Sequence, residues 1–293
     1  MSIVAVPLIG GRFPSRERLA SAIWRGTLLL LVAAGSIMFI LPFAWMVSTS
    51  LKSSDEVLRF PPVWIPASLR FENYSVPWGR LPFGTYYRNT ITVVVLNLLG
   101  TLLSSSIVAY GFARLRFRGR NLLFILVLST MMLPAQVTLV PTYYLFAKLG
   151  WVNSLKPLIV PVYFGSPFSI FLLRQFFMTI SHELDDAAEI DGCGFLSIYW
   201  RIILPLSRPA LGVIAIFQFT YDWNDFFSAL IYINSPKHFT IALGLRTLQS
   251  TVLYVPMQHI MAMTLVAMLP VLLIFVLAQR YFIQGIVITG IKG

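Results

Sequence analysis

Charged residues are scarce in this sequence of 293 residues. Only 11% are Asp, Glu, Lys or Arg, and 57% are apolar, whereas about a quarter of an ordinary soluble domain is charged. This number of charged side chains is too small to cover the surface of a soluble globule of this size. A chain with this large a fraction of apolar residues is also not expected to be disordered. The composition therefore excludes most soluble folds and indicates a chain that is surrounded by lipid.

Cysteine and histidine are also rare. Cys193 is the one cysteine, so no disulfide can form within the chain, and His182, His238 and His259 lie far apart in the sequence. A zinc site needs several such ligands at close spacing, so no metal site is expected.

Sequence motifs of catalysis are missing as well. Glycine is nowhere followed by lysine, which excludes the phosphate-binding loop ending in Gly-Lys-Ser or Gly-Lys-Thr. The Gly-x-Ser-x-Gly nucleophile motif and the His pair of metalloproteases are absent too. We therefore assign no catalytic residue and no bound cofactor to this chain.

Long uncharged runs predict six transmembrane helices. Four runs exceed the ~20 residues that a membrane helix needs; they cover residues 26–51, 89–113, 121–147 and 247–279. The run 157–173 is slightly short, and 209–236 is interrupted by Asp222 and Asp225. We predict an all-α integral membrane protein with spans at about 26–48, 89–112, 121–145, 157–174, 209–232 and 257–280.

The basic residues predict the orientation of these spans. The net charge is +11, but the arginines lie between apolar runs, so we interpret them as loop charges and not as a nucleic-acid surface. Thirteen of the 22 basic residues fall on the side of the N-terminus, four of them in the loop 113–121. The positive-inside rule therefore places the tail 1–25, the loop 175–208 and the tail 281–293 in the cytoplasm.

The loop 175–208 concentrates the acids of the chain. Five of the eleven acidic residues lie within nine positions; they are Glu183, Asp185, Asp186, Glu189 and Asp191. Acids suit the start of a helix and Gly192 suits its end, so a short helix is expected over 181–191. Leu184, Ala187, Ala188 and Asp191 would share one face of it. Charge alone leaves two interpretations open, a solvated acidic loop and a docking surface.

Two runs of this loop, residues 185–192 and 200–211, resemble the EAA loop of ABC importer permeases of the carbohydrate-uptake branch, related to the maltose transporter. The run 223–226 and the glycine-rich tail 285–293 are similar to further motifs of this branch. In the family the EAA loop is a coupling helix that docks on the ATPase subunit. The resemblance implies that coupling involves Glu183, Asp186, Ala187, Ala188, Asp191, Gly192, Ile202, Leu204 and Pro205. It also implies contact of the C-terminal tail with the ATPases through Gly290, Lys292 and Gly293.

The same resemblance implies the fold, partners and location of the chain. A type I importer has two permeases, here of the second-permease type, in the inner membrane. Two cytoplasmic subunits carry ATP and Mg, and an extracytoplasmic solute-binding protein delivers the sugar. In such a family the loop 237–251 is the candidate contact with the binding protein. The chain itself is then a non-catalytic subunit.

Polar residues of the fifth predicted span indicate a substrate pathway. Gln218, Tyr221, Asp222 and Asp225 recur at helical spacing, with Asn224 beside them, and charged groups in lipid usually face a cavity. A sugar pathway is one interpretation, and structural pairing of the two acids with an arginine is another. An ion-driven secondary transporter using both acids and a membrane-embedded enzyme or scaffold stay as alternatives. The basic outer loops would favour an acidic oligosaccharide.

Overall fold

A computed structural model describes residues 16–248 and 255–290, and in these ranges all regular secondary structure is helical. The α-helices are α1 (Arg16–Ser50), α2 (Ser54–Val57), α3 (Val76–Arg80), α4 (Phe83–Arg114), α5 (Arg120–Ser129), α6 (Ala135–Lys148), α7 (Lys156–Ile159), α8 (Pro167–Thr179), α9 (Glu183–Ile190), α10 (Phe195–Ile198), α11 (Leu204–Leu206), α12 (Arg208–Asn224), α13 (Phe227–Tyr232), α14 (Ile241–Leu248) and α15 (Met257–Gly290). Short 3₁₀ turns cover Phe71–Tyr74, Thr130–Met132, Val160–Phe164 and Pro236–His238, and a π-helical turn covers Tyr199–Ile203.

Four helical segments of the described chain are long and apolar enough to cross a membrane. They are Ile23–Ser50, Phe83–Arg114, Lys156–Thr179 and Met257–Ala278. Two further pairs are bent, Arg120–Met132 with Ala135–Lys148 by 96° and Phe195–Leu206 with Arg208–Asn224 by 76°. The number of spans is six if each bent pair is one span.

Prolines explain one of these bends but do not break the other long helices. Pro42, Pro141 and Pro270 lie inside α1, α6 and α15, which continue through them. Between α5 and α6, in contrast, Leu133 is extended immediately before Pro134. A proline ring disfavours helical geometry in the residue before it, so the chain turns at this point.

The predicted fifth span, 209–232, is divided between two helices. The first, α12, ends at Asn224, and α13 begins at Phe227 after an extended Asp225. The Asp225 carboxylate accepts a hydrogen bond from the backbone N–H of Ser228 (3.0 Å). This side chain satisfies a backbone donor at the start of α13, which favours a new helix at this position.

The core is arranged around α4. One apolar cluster joins the C-terminal half of α4 to α5, α8, the segment 188–203 and α12. A second cluster joins the N-terminal half of α4 to α12, α14 and α15. Because both clusters include α4, a displacement of this helix reaches both halves of the molecule.

The segment 236–248 is packed on the start of α4. The Asn89 side chain donates hydrogen bonds to the carbonyl groups of Lys237 (2.9 Å) and Phe239 (3.0 Å). A Cβ atom at Gly244 would lie 2.3 Å from the buried ring of Tyr86, so the close approach of α14 to α4 requires glycine. The predicted contact loop 237–251 thus contains a buried helical face, and its residues 249–251 lie outside the described ranges.

Candidate functional site

The acid-rich segment forms a short helix with defined ends. Three acids lie in the first turn of α9, where they face the positive end of the helix dipole. At the other end Gly192 has a positive φ of 79°, and the N–H of Cys193 bonds to the carbonyl of Ala188 (2.9 Å). This glycine-terminated ending fixes the length of α9 at two turns.

An ion pair fastens the first turn of α9 to the end of α4. Arg114 Nη1 lies 3.2 Å from Asp185 Oδ2, and the two side chains are only 2% and 12% exposed. Arg114 also donates to the carbonyl of Ile180 (2.8 Å) and to Nδ1 of His182 (2.9 Å). A charge pair held by additional hydrogen bonds at low exposure is geometrically specific.

The buried side of the acidic segment is part of the main core. Ala188, Ile198 and Ile203 pack in the cluster that contains Phe177 of α8 and Ile214 of α12. Hydrogen bonds add to this packing: the Tyr110 hydroxyl donates to the carbonyl of Phe195 (3.1 Å), and the Tyr199 and Ser106 hydroxyls are 2.7 Å apart. The segment is therefore anchored to several long helices and does not hang free as a loop.

The opposite side is exposed and mixes acids with apolar residues. Of the predicted coupling residues, Ala188 is buried and Ile202 and Leu204 are partly buried; the exposed ones are Glu183, Asp186, Ala187, Asp191, Gly192 and Pro205. Large apolar side chains lie among them, with Ile190 86% and Leu196 72% exposed. Next to this face a cavity of about 600 Å³ is lined by Arg114, Arg116, His182, Asp186, Glu189 and Phe195, among others. We call the exposed surface of residues 183–205 the docking face.

A second cavity, of about 470 Å³, lies between α4, α8 and α12. Gln218 and Tyr221 of the predicted pathway line it. The sequence did not single out the other polar and aromatic lining residues, which are Thr101, Ser166, Phe168, Ser169 and Phe217. Amide and hydroxyl groups next to aromatic rings are suited to the hydroxyl groups and apolar ring faces of a sugar.

Asp222 is buried and joins three helical segments. Its Oδ1 accepts a hydrogen bond from Asn97 of α4 (3.0 Å), and its Oδ2 accepts one from Gln218 (2.9 Å). Asn97 also donates to the carbonyl of Leu158 in α7 (3.1 Å). Within the described residues neither Asp222 nor Asp225 forms an ion pair with an arginine.

The five residues of the predicted pathway do not form a single group. Gln218 and Tyr221 line the cavity, and Asp222 is bonded to Gln218 behind it. Asp225 lies beyond the end of α12, where it bonds to Ser228, and Asn224 is exposed and donates to the carbonyl of Thr220 (2.8 Å). The common helix face therefore extends only from 218 to 222.

The remaining predicted residues lie at the C-terminus. Gly290 is the last residue of α15, while Lys292 and Gly293 lie outside the described ranges. Among the described residues no group of three or more His, Cys, Asp and Glu side chains is arranged to hold a metal ion.

This chain is similar to a known family and to curated relatives. The sequence profile of the family "Binding-protein-dependent transport system inner membrane component" matches residues 100–288. The arabinooligosaccharides transport system permease protein AraQ of Bacillus subtilis is 33% identical over 93% of this chain and 97% of its own length. The trehalose/maltose transport system permease protein MalG of Thermococcus litoralis is 34% identical over 88% of this chain and 93% of its own length.

A solved structure shares the fold. A chain of a bacterial ABC transporter involved in the import of the acidic polysaccharide alginate superimposes with a TM-score of 0.81. It is 24% identical, and the match covers 92% of this chain and 99% of that chain. The all-α membrane fold predicted from the sequence is thereby confirmed.

Proposed function

The chain belongs to the family of binding-protein-dependent transport system inner membrane components, and from this membership we infer that it is a permease subunit of an ATP-driven oligosaccharide importer. Its relatives are named for arabinooligosaccharide and for trehalose and maltose transport. The cavity between α4, α8 and α12 supports the same substrate class, because its lining offers hydroxyl, amide and aromatic groups. These contacts suit the neutral parts of a sugar, whether or not the oligosaccharide also carries acidic groups.

The observation that carries this proposal is the attachment of the docking face to the long helices. Its buried side is fixed by the Arg114–Asp185 pair and by packing of Ala188, Ile198 and Ile203. Its exposed side offers apolar side chains, such as Ile190, that are available to a partner protein. A force on the exposed side is therefore transmitted to α4, α8 and α12.

Hydrolysis belongs to other subunits in this proposal. The chain lacks any Gly-Lys pair, so ATP and Mg bind to two separate ATP-binding subunits. A second homologous permease and an extracytoplasmic solute-binding protein complete the complex. The chain itself contributes no catalytic residue and lies in the inner membrane, with both termini in the cytoplasm.

The transport cycle follows from these attachments. Closure of the two ATP-binding subunits moves the docking face, with Glu183, Asp186 and Ala187 at the contact. Because Arg114 ends α4, this motion changes the position of α4 against α8 and α12 and so alters access to the cavity. Gln218 and Tyr221 contact the sugar there, and Asp222 positions Gln218 through its hydrogen bond.

Energy dependence tests the proposal directly. We expect the chain to co-purify with an ATP-binding subunit, and the complete complex in proteoliposomes to take up oligosaccharide only with ATP and the binding protein present. An ionophore that removes ion gradients should leave the initial rate unchanged. Uptake that survives without ATP but stops with the ionophore would refute the importer and support an ion-driven transporter acting through Asp222 and Asp225.

A further inference from the structure

The loop between α4 and α5 carries positive charge that the described part of the protein does not neutralise. Arg114, Arg116, Arg118 and Arg120 occur within seven residues. Arg114 pairs with Asp185, but the other three form no ion pair with a described residue. Such a concentration of positive charge attracts anions.

A cavity of about 380 Å³ lies within this loop. We call it the basic pocket, and it is lined by Arg116, Phe117, Gly119, Arg120, Asn121 and Leu122. Its shape is fixed by the turn at Gly119, which has a φ of 81°, and by the Arg120 guanidinium, which donates a hydrogen bond to the carbonyl of Leu115 (3.2 Å). The side chain of Arg118 does not line the pocket, although it belongs to the same loop.

The basic pocket lies where the lipid-facing surface of the protein begins. Leu122, Leu123, Ile125 and Leu126 of α5 have about half or more of their surface exposed, and in a membrane protein such side chains contact lipid chains. They follow Arg120 within two turns of helix, a rise of about 9 Å. The guanidinium groups are therefore at the depth of the lipid headgroups.

We propose that the basic pocket binds the phosphate of an anionic phospholipid of the phosphatidylglycerol type. The guanidinium groups of Arg116 and Arg120 pair with the phosphate oxygens, a geometry for which arginine is well suited. The Asn121 amide supplies a further donor, and Leu122 continues into the surface that contacts the acyl chains. The apolar continuation favours a lipid over free phosphate.

Native mass spectrometry of the complete permease complex tests this site. The complex, purified in detergent, is titrated with phosphatidylglycerol and, separately, with phosphatidylcholine. We expect preferential retention of phosphatidylglycerol, reduced about fivefold by Arg116→Gln and by Arg120→Gln, which corresponds to the usual contribution of one basic residue at an anionic membrane surface. Arg118→Gln removes the same charge from the same loop and should change retention much less.

Several outcomes would overturn the proposal. Equal losses in all three glutamine variants would mean diffuse surface charge and no pocket. Equal retention of the two lipids, or displacement of bound phosphatidylglycerol by millimolar inorganic phosphate, would exclude a lipid-specific site. Dissociation of the ATP-binding subunit from Arg116→Gln, with lipid retention unchanged, would assign the pocket to a protein contact, since Arg116 also borders the cavity beside α9. The variants Arg116→Lys and Arg120→Lys keep the charge and should retain most of the lipid, which separates loss of binding from misfolding.

Discussion

At the scale of single residues, the Arg114–Asp185 pair decides how α9 is held. Asp185 Oδ2 forms the ion pair with Arg114, whereas Asp185 Oδ1 and Arg114 Nε have no hydrogen-bond partner among the described residues. Removing one member of a buried pair costs more than the pair itself contributes, because the other charge is left without compensation. The pair is thus more important for the position of α9 than for total stability.

Asp185→Asn tests this link. It leaves the buried Arg114 guanidinium without a counter-charge, so we expect the free energy of unfolding to fall by about 2 kcal/mol, somewhat less than for a fully buried pair. Glu189→Gln removes an exposed acid from the same helix and should change stability by no more than about 0.5 kcal/mol. Thermal unfolding of the complex in detergent measures both, and equal effects would argue against a specific role of the pair.

The substrate pathway gives a second prediction at this scale. Tyr221 is 67% exposed and lines the cavity between α4, α8 and α12. Tyr221→Ala removes the proposed aromatic contact with the sugar, so we expect uptake to require about tenfold more substrate-loaded binding protein, with little change in thermal stability. Tyr144→Ala, at an exposed position of α6 that does not line this cavity, is the control. Identical kinetics of both variants would remove Tyr221 from the pathway.

At the scale of elements, α9 has two unlike faces. Ala188 is 6% exposed and packs in the core, whereas its neighbour Ala187 is exposed on the docking face. Ala187 and Ala188 follow Leu184 by three and four positions, so helical periodicity predicts both alanines on one face of α9. In the structure only Ala188 lies in the core, on the side of α9 whose Asp185 forms the ion pair with Arg114 of α4.

The two alanines offer a matched test of these faces. Ala188→Leu forces a larger side chain into the core, so the free energy of unfolding should fall by about 1–3 kcal/mol. Ala187→Leu should leave stability nearly unchanged but weaken co-purification of the ATP-binding subunit, because it alters the shape of the docking face. If Ala187→Leu binds the ATP-binding subunit normally and transports normally, the docking face lies elsewhere.

At the scale of the whole molecule, α4 connects the docking face to the cavity. It carries Arg114 at one end, Asn97 near its middle and Asn89 near its start. The first helix is different: from residue 23 to 43 its large apolar side chains are exposed. Such a surface requires lipid or another membrane subunit around it, in agreement with a complex that contains a second permease.

The single cysteine provides a test of orientation. Cys193 is partly exposed in the turn after α9, so a membrane-impermeant maleimide should label it in inside-out vesicles and not in intact cells. Binding of the ATP-binding subunit should protect it. The double variant Cys193→Ser/Ser68→Cys moves the single thiol to the exposed segment between α2 and α3. This thiol should be labelled in intact cells and not in inside-out vesicles. Labelling of Cys193 from outside the cell would contradict the proposed topology.

Composition and local motifs are sufficient to identify the class of this protein. Scarce charge and long apolar runs indicate lipid, because so few charged side chains cannot cover the surface of a soluble globule of this size. The acids between the fourth and fifth spans are a local feature, and their resemblance to the EAA loop identified the family correctly. The absence of Gly-Lys pairs is equally local, and from it the sequence also predicts a separate ATP-binding subunit.

Which residues contact each other depends on how the helices pack. Asp185 pairs with Arg114, and among the described residues Asp222 is bonded to Asn97 in α4 and forms no ion pair with an arginine. In the sequence, Arg114 stands out only by its position at the end of an apolar run and in the arginine-rich loop 113–121, and neither feature identifies a partner. Helical periodicity repeats along one element, whereas each of these contacts joins residues far apart in the sequence. Their partners are fixed by how the helices pack around α4, which no local pattern encodes.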